Sequence, residues 1–296
     1  MSAFTPAELL AWCSVPADKL VDHPDRRIPF RVVETAQDMG RLMAEELVTA
    51  IVDAQAEGRE FRAILPCGPT GWLRPFAELV NSRRVSLHNL VVFHMDECLD
   101  WECKPIPLSH PYNFRGYMEK HFYAPIDAEL QVPEANRNWL DVTTYAAVSE
   151  ELLANPADLV YGGWGQDGHV AYNQARRSVY SPITVEELAE STARIQENNQ
   201  DTVIALAQRT FGGAYQFVPP MSITLGMKEI CAARRIRLFS DTGAWKQTAL
   251  RVALFSEPTP EYPLTLLQSH PDAMLTATVE TAQHPVGSNP DWDLGV

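Results

Sequence analysis

The chain has 296 residues, 46% hydrophobic and 21% charged, a balance ordinary for a globular protein and long enough to bury the core of one large α/β domain or two smaller ones. Its net charge of −14 argues against a nucleic-acid-binding surface, though a few local donors in a turn could still hold a small anion. No apolar run reaches the roughly 20 residues of a membrane span, no basic segment precedes an apolar core at the N-terminus, and Cys13, Cys67, Cys98, Cys103 and Cys231 lack CxxC spacing, so a cytoplasmic chain with reduced thiols is expected.

In chain order, a short helix over Pro6–Trp12 leads through a Pro- and Asp-rich connection to a strand at Arg31–Val33. From Ala36 to Ala56, Met39, Leu42, Met43, Leu47 and Ile51 recur at helical spacing. Phe61–Leu65 reads as a strand, a helix follows over Trp72–Ser82, and Leu90–His94 is the next strand. Residues 98–113 read as a long loop at the active edge, with helices over Phe114–Phe122 and Thr143–Ala154 and a strand at 159–162. The polar stretch 176–220 carries helices near 185–194 and 201–209; it suits a closing lid and equally an ordinary surface. A strand at Ile236–Phe239, a helix over Ala244–Leu254 and a strand at Ala273–Ala277 follow, and the tail after Thr281 reads as a loosely held surface segment. Strand and helix alternate without repeats, which predicts one α/β domain with a mostly parallel sheet.

Chemistry is concentrated where strands end. After Leu159-Val160-Tyr161 comes Gly162-Gly163-Trp164-Gly165-Gln166-Asp167-Gly168-His169, where an acid two residues from a histidine can orient its tautomer and raise its basicity. A zinc site is the rival reading, with only His94 or Asp96 to add as ligands. After Leu90–Phe93 comes His94-Met95-Asp96-Glu97. Two adjacent carboxylates point in different directions, so one of them faces a substrate or caps a turn, and His94 reads as a core residue. In Cys67-Gly68-Pro69-Thr70-Gly71 a Gly-containing turn leads into a helix, leaving backbone N–H groups and the Thr70 hydroxyl for a phosphate. Lys246, near the start of a helix, gains nothing from the helix dipole and hints at an anion; Arg209 reads equally as a second clamp or a surface charge.

These pieces resemble the glucosamine-6-phosphate deaminase (isomerase) family. The resemblance runs through Leu65–Leu79, Val91–Glu97, His110–Phe122 and Gly162–Asn173, and more faintly through Val218–Gly226, Leu238–Leu250 and His270–Ala277. It implies a Rossmann-like three-layer α/β/α domain with a mostly parallel sheet over residues 29–281, flanked by a lead-in (1–28) and a tail (282–296). It further implies a homo-oligomer acting on a small phosphosugar, without metal, cofactor, nucleic acid or membrane. The reaction would be aldose–ketose isomerisation with deamination to a ketose phosphate and ammonia. Asp96 would shuttle a proton between C2 and C1, and His169, oriented by Asp167, would assist ring opening. Gly68, Thr70, Gly71 and Lys246 would hold the phosphate, with Glu97 also in the substrate site. The arginine clamp maps to Arg209, or by a one-residue shift to Gln208.

The chain also departs from the family pattern. Asn-Glu-Pro becomes Asn173-Gln174-Ala175, and the family's His-Pro-x-Ser-Tyr becomes His110-Pro111-Tyr112-Asn113-Phe114. Gln174 stands where the glutamate that completes the histidine relay is expected, and a neutral amide cannot take up a proton there. Arg194 matches a basic effector-site residue, while Gln196 replaces the neighbouring lysine, which puts allosteric control in doubt. The alternatives are a sugar-phosphate lactonase of the 6-phosphogluconolactonase kind, whose members read Asp-Glu-Arg where this chain has Asp96-Glu97-Cys98, and a non-catalytic sugar-phosphate-binding protein.

Overall fold

Ten strands form in chain order: β1 (Phe30–Val33), β2 (Phe61–Leu65), β3 (Leu90–His94), β4 (Asp96–Leu99), β5 (Arg137–Asn138), β6 (Leu159–Gly162), β7 (Arg194–Glu197), β8 (Met221–Thr224), β9 (Ile236–Ser240) and β10 (Ala273–Thr278). The computed structural model describes residues 3–178 and 180–296; Met1 and Ser2 of the expected lead-in and Val179 of the polar stretch 176–220 lie outside the described residues. Seven strands make a fully parallel sheet in the order β1-β10-β9-β6-β2-β3-β5.

Strand alternation divides the interior into two apolar layers. In β2, Ala63 and Leu65 face one cluster and Ile64 the other; in β3, Leu90 and Val92 oppose Val91 and Phe93. Helices cover both faces, giving the three-layer α/β/α architecture. On one side lie α2 (Ala36–Ala56) and α3 (Leu73–Arg83); on the other lie α5 (Tyr145–Ala154), α8 (Met227–Ala232) and α9 (Gln247–Phe255). The remaining helices used below are α1 (Pro6–Ser14), α4 (Phe114–Met118), α6 (Val185–Ala189) and α7 (Gln200–Thr210).

Helix α2 shows how local sequence fixes an element. The Thr35 hydroxyl accepts the Asp38 N–H at 3.1 Å to cap its start, and Met39, Met43, Leu47 and Ile51 form one fully buried stripe. Burying each such side chain is worth about 1.5–3 kcal/mol. Gly40 lets the helix press onto the turn after β2, because a Cβ there would come within 2.4 Å of the Gly71 carbonyl oxygen.

The site is placed by topology. Strands β2 and β6 are hydrogen-bonded neighbours, yet the chain leaves β2 towards β3 on one side and β6 towards β9 on the other. A crevice opens at the carboxyl ends where the direction of winding reverses, the place where open α/β sheets bind ligands. Met95 joins the main sheet to a second one: its N–H donates to Leu65 O at 3.1 Å, and its carbonyl accepts the Leu225 N–H at 3.0 Å. Asp96, the next residue, starts the antiparallel sheet β4-β8-β7, paired with Thr224.

Several sequence expectations change. The expected helix near 185–194 is the single short α6, after which Arg194–Glu197 is strand β7. Met221–Thr224, which was assigned no strand, is β8. The loop expected from residue 98 starts two residues later, because Cys98 and Leu99 belong to β4. The helix expected over Phe114–Phe122 is α4 followed by a π turn at Glu119–Tyr123. The tail is not loose over its first part: the His284 Nε2 and Thr248 Oγ1 lie 3.1 Å apart, and the turn Pro285–Ser288 packs beside α1. Among the described residues no helix is long and apolar enough to cross a membrane.

Candidate active site

A cleft of about 420 Å³ opens at the carboxyl edge of the parallel sheet. The turns after β2, β3, β6 and β9 supply its floor and walls, and α7 borders it. Gly68, Thr70, Asp96, His169, Arg209 and Lys246 all line it. Of the other residues picked from sequence, Asp167 sits behind His169, whereas Gly71, Glu97 and Gln174 do not line the cleft. Gln208, the alternative to Arg209, does not line it either.

The β6 turn folds back to set the histidine. Gly168 has φ +72°, a left-handed conformation that favours glycine, and brings the chain around between the two polar residues. The buried Asp167 Oδ1 lies 2.6 Å from His169 Nδ1, while its Oδ2 accepts the Ala175 N–H at 3.2 Å. Burial alone would raise the Asp167 carboxyl; the His169 imidazole and these hydrogen bonds outweigh it and hold the group well below the usual carboxylate range. With Nδ1 committed to Asp167, Nε2 is the nitrogen left for a ligand.

The two adjacent carboxylates have separate fates. Among the described residues nothing hydrogen-bonds the Asp96 carboxyl, which lines the cleft. Burial, with the neighbouring Glu97 charge, pushes it up to about 8. The Glu97 carboxylate is instead filled by three backbone N–H groups, from Cys98 at 2.8 Å, Phe114 at 2.8 Å and Arg115 at 2.7 Å. It ties β4 to the start of α4, which keeps Asp96 fixed at the joint of the two sheets.

The opposite end is cationic. Lys246 Nζ lies 5.1 Å from the Trp245 ring centroid and Arg209 Cζ lies 4.8 Å from it, and neither makes an ion pair among the described residues. Burial, then the Arg209 charge, lowers Lys246 to about 8 against the pull of Asp241 and Asp167. Thr202 and Thr242 also line this cleft, with their hydroxyl oxygens buried beneath its surface and, among the described residues, without a hydrogen-bond partner. Two cations outside any ion pair among the described residues, lining one cleft, suit an anion with several acceptor oxygens.

Gln174 is a tie rather than a wall. Its Nε2 donates to Glu197 O at 2.9 Å and its Oε1 accepts the Asn199 N–H at 2.6 Å, so both ends of the amide are taken by backbone. Arg194 donates to Asn173 Oδ1 at 3.0 Å, anchoring the same loop to β7. Thr202, Thr242, Trp245 and Tyr172 also line the cleft, though no sequence expectation gives them a role. The Asp241-Thr242-Gly243 turn after β9 carried the same signal as the turns after β2 and β6, and could have been found that way. Tyr172 stacks nearly parallel to His169 and places its hydroxyl 3.2 Å from Cys98 Sγ. Among the described residues no group of three or more His, Cys, Asp or Glu side chains is placed to hold a metal ion.

The glucosamine-6-phosphate deaminase of Aeromonas hydrophila subsp. hydrophila is 30% identical over 256 residues, spanning 84% of this chain and 89% of that protein. That of Caenorhabditis elegans is 28% identical over 228 residues, 75% of this chain and 79% of its own. Among solved structures, a monomeric glucosamine-6-phosphate deaminase superposes with a TM-score of 0.71 at 19% identity, over 86% of this chain and 98% of that one. The 6-phosphogluconolactonase of Thermotoga maritima gives 0.58 at 17% identity, over 84% and 98%. These two structures share the fold. No protein-family model matches the chain. At 30% identity across most of both lengths, the chain belongs to the glucosamine-6-phosphate deaminase family.

Proposed function

We propose that the cleft converts glucosamine 6-phosphate and water to fructose 6-phosphate and ammonia, with residues 29–281 as the catalytic domain, 1–28 as a lead-in and 282–296 as a tail. The phosphate is held by Lys246, Arg209 and the Gly68–Thr70 turn, and its binding energy positions C1 and C2 over Asp96. His169 moves a proton at the ring oxygen through Nε2, opening the ring. Asp96 takes the C2 proton to give an enolamine and returns it to C1. Water then hydrolyses the C2 iminium, breaking the C–N bond and releasing ammonia.

The observation that carries this reading is the unpartnered Asp96. Removing a proton from carbon needs a base stronger than an ordinary carboxylate, and a carboxyl with no hydrogen-bond donor, pushed up to about 8, supplies one. A homo-oligomer in the cytoplasm belongs to the same reading, and light scattering of the purified chain checks the assembly.

A lactonase reading is favoured by Gln174, whose engaged amide leaves no acid to complete a relay with His169. The two separate on products. Equimolar ammonia and fructose 6-phosphate from glucosamine 6-phosphate support the deaminase; hydrolysis of 6-phosphogluconolactone with no ammonia from the amino sugar supports the lactonase.

A further inference from the structure

A second cavity, of about 330 Å³, lies against the far side of the reaction centre. It shares Cys67, Met95, Asp96 and Phe114 with the catalytic cleft, so the two spaces abut at the base. None of the residues at the cationic end, Lys246, Arg209, Trp245 or Thr242, borders it. A substrate with its phosphate at that end and C1–C2 at Asp96 therefore directs its C1 and C2 substituents towards this chamber.

The chamber has many polar residues in its wall but an apolar interior. The Glu97 carboxylate holds three backbone N–H groups, and the Asn113 amide bridges Ile106 O and Gly116 N. His94 Nε2 sits 3.0 Å from the Tyr123 hydroxyl, with its ring stacked 3.7 Å from the Trp139 ring. Arg115 pairs with Glu119 at 3.1 Å, and Asp141 caps the turn at Thr143 and Thr144. With those groups committed, Leu65, Met95, Leu99, Phe114, Met118 and Leu140 set its character, and Asp96 is its one carboxyl without a hydrogen bond among the described residues. The volume is about twice the ~150 Å³ in which an apolar protein cavity takes up benzene.

The chemistry says which substituent it can receive. Ring opening needs a free hydroxyl on C1, so an added group must sit on the C2 nitrogen. An acyl group there would draw the nitrogen lone pair into an amide and oppose the iminium; an alkyl group would not. We propose that this chamber accepts an apolar group on the amino nitrogen, making N-alkylated amino-sugar phosphates substrates in their own right. This rests on the deaminase reading above. The balanced step is the same as for the parent: the C2 proton moves to C1 through Asp96, water adds at C2, and the C2–N bond breaks. Fructose 6-phosphate and a primary amine leave, with no oxidant or reductant involved.

The test compares glucosamine 6-phosphate with N-benzylglucosamine 6-phosphate on the full chain, reading fructose 6-phosphate from both and benzylamine from the second. The expected kcat/KM values lie within about tenfold of each other. Ile106→Trp, which fills the chamber from a loop away from the cleft, should cut the benzylated substrate at least about tenfold and leave the parent within about twofold. If Ile106→Trp fails on the parent as well, Leu108→Trp at the exposed rim is the replacement, with the same expectation. Turnover of the parent alone, with no competition from the benzylated compound, overturns the inference and leaves the deaminase reading standing. Benzylated turnover indifferent to the filling variant that keeps parent activity also overturns it. Turnover of neither substrate overturns the deaminase reading itself, and this inference with it.

Discussion

The Asp167 carboxylate meets His169 Nδ1 at 2.6 Å with no exposed surface of its own side chain, so the imidazole reaches the cleft by one nitrogen only. Asp167→Asn keeps the shape but can present its N–H to Nδ1, reversing the tautomer. The expected result is a fall in kcat of about 10³-fold with KM little changed, measured by steady-state kinetics on a variant with unaltered circular dichroism. Because the folded Asp167 is held below its ordinary value, its contribution to stability is present above that value and lost as pH falls through the depressed one. The variant should therefore show a weaker loss of Tm on acidification below about pH 4.

The pH profile of kcat/KM should be a narrow bell near pH 8. Asp96 must be ionised to act as a base, so activity rises with pH through its value of about 8. Lys246 must be charged to hold phosphate, so activity falls as pH rises through its value, also about 8. Arg209→Met removes the cation that helps depress Lys246 and should move the falling limb to higher pH. A falling limb that stays in place in that variant would contradict the assignment.

Arg209→Met should also raise KM for glucosamine 6-phosphate by about 10- to 100-fold, the worth of one charged hydrogen-bonding partner. The check is unphosphorylated glucosamine, whose slow turnover should be unaffected. Equal losses on both sugars would mean that Arg209 supports the fold of α7 instead of the phosphate.

Restoring a carboxylate at position 174 should not restore a relay. In Gln174→Glu the donor to Glu197 O becomes an acceptor facing a carbonyl, in a buried position. The expected cost is about 1–3 kcal/mol of stability with no gain in kcat, read by denaturant unfolding and kinetics. A faster, equally stable enzyme would show that this side chain swings to His169 during turnover.

Asp96 should destabilise the fold progressively as pH rises from about 3.8 to about 8. Its folded value of about 8 lies above its ordinary 3.8, so the protonated form favours folding; that contribution is whole below 3.8 and lost as pH rises through about 8. Asp96→Asn, neutral at every pH, should gain Tm over wild type progressively across that window, by about 2–4 °C for each kcal/mol recovered.

What could be read from sequence follows from how each feature is encoded. Helix α2 and strands β2, β3 and β6 were legible because one apolar period runs through each from end to end. Strands β7 and β8 were not: Arg194-Ile195-Gln196-Glu197 has a single apolar side chain, and its pairing partners lie in distant segments. Asp167, His169, Asp96 and Lys246 stood out because each follows a buried strand. That Glu97 lies outside the cleft could not be read, because adjacency to Asp96 says nothing about which face each carboxylate takes; the backbone donors of Cys98, Phe114 and Arg115 decide it. The choice between Gln208 and Arg209 depended on the phase of α7, which a short polar helix does not reveal.

The proposed reaction depends most on one carboxylate moving one proton. The most direct measurement is the release of ammonia and fructose 6-phosphate from glucosamine 6-phosphate by the wild-type chain and by Asp96→Asn, side by side, with substrate binding followed by calorimetry. The expected result is equimolar products from the wild type, and from the variant no turnover with binding nearly intact. A variant that turns over at the wild-type rate would contradict it.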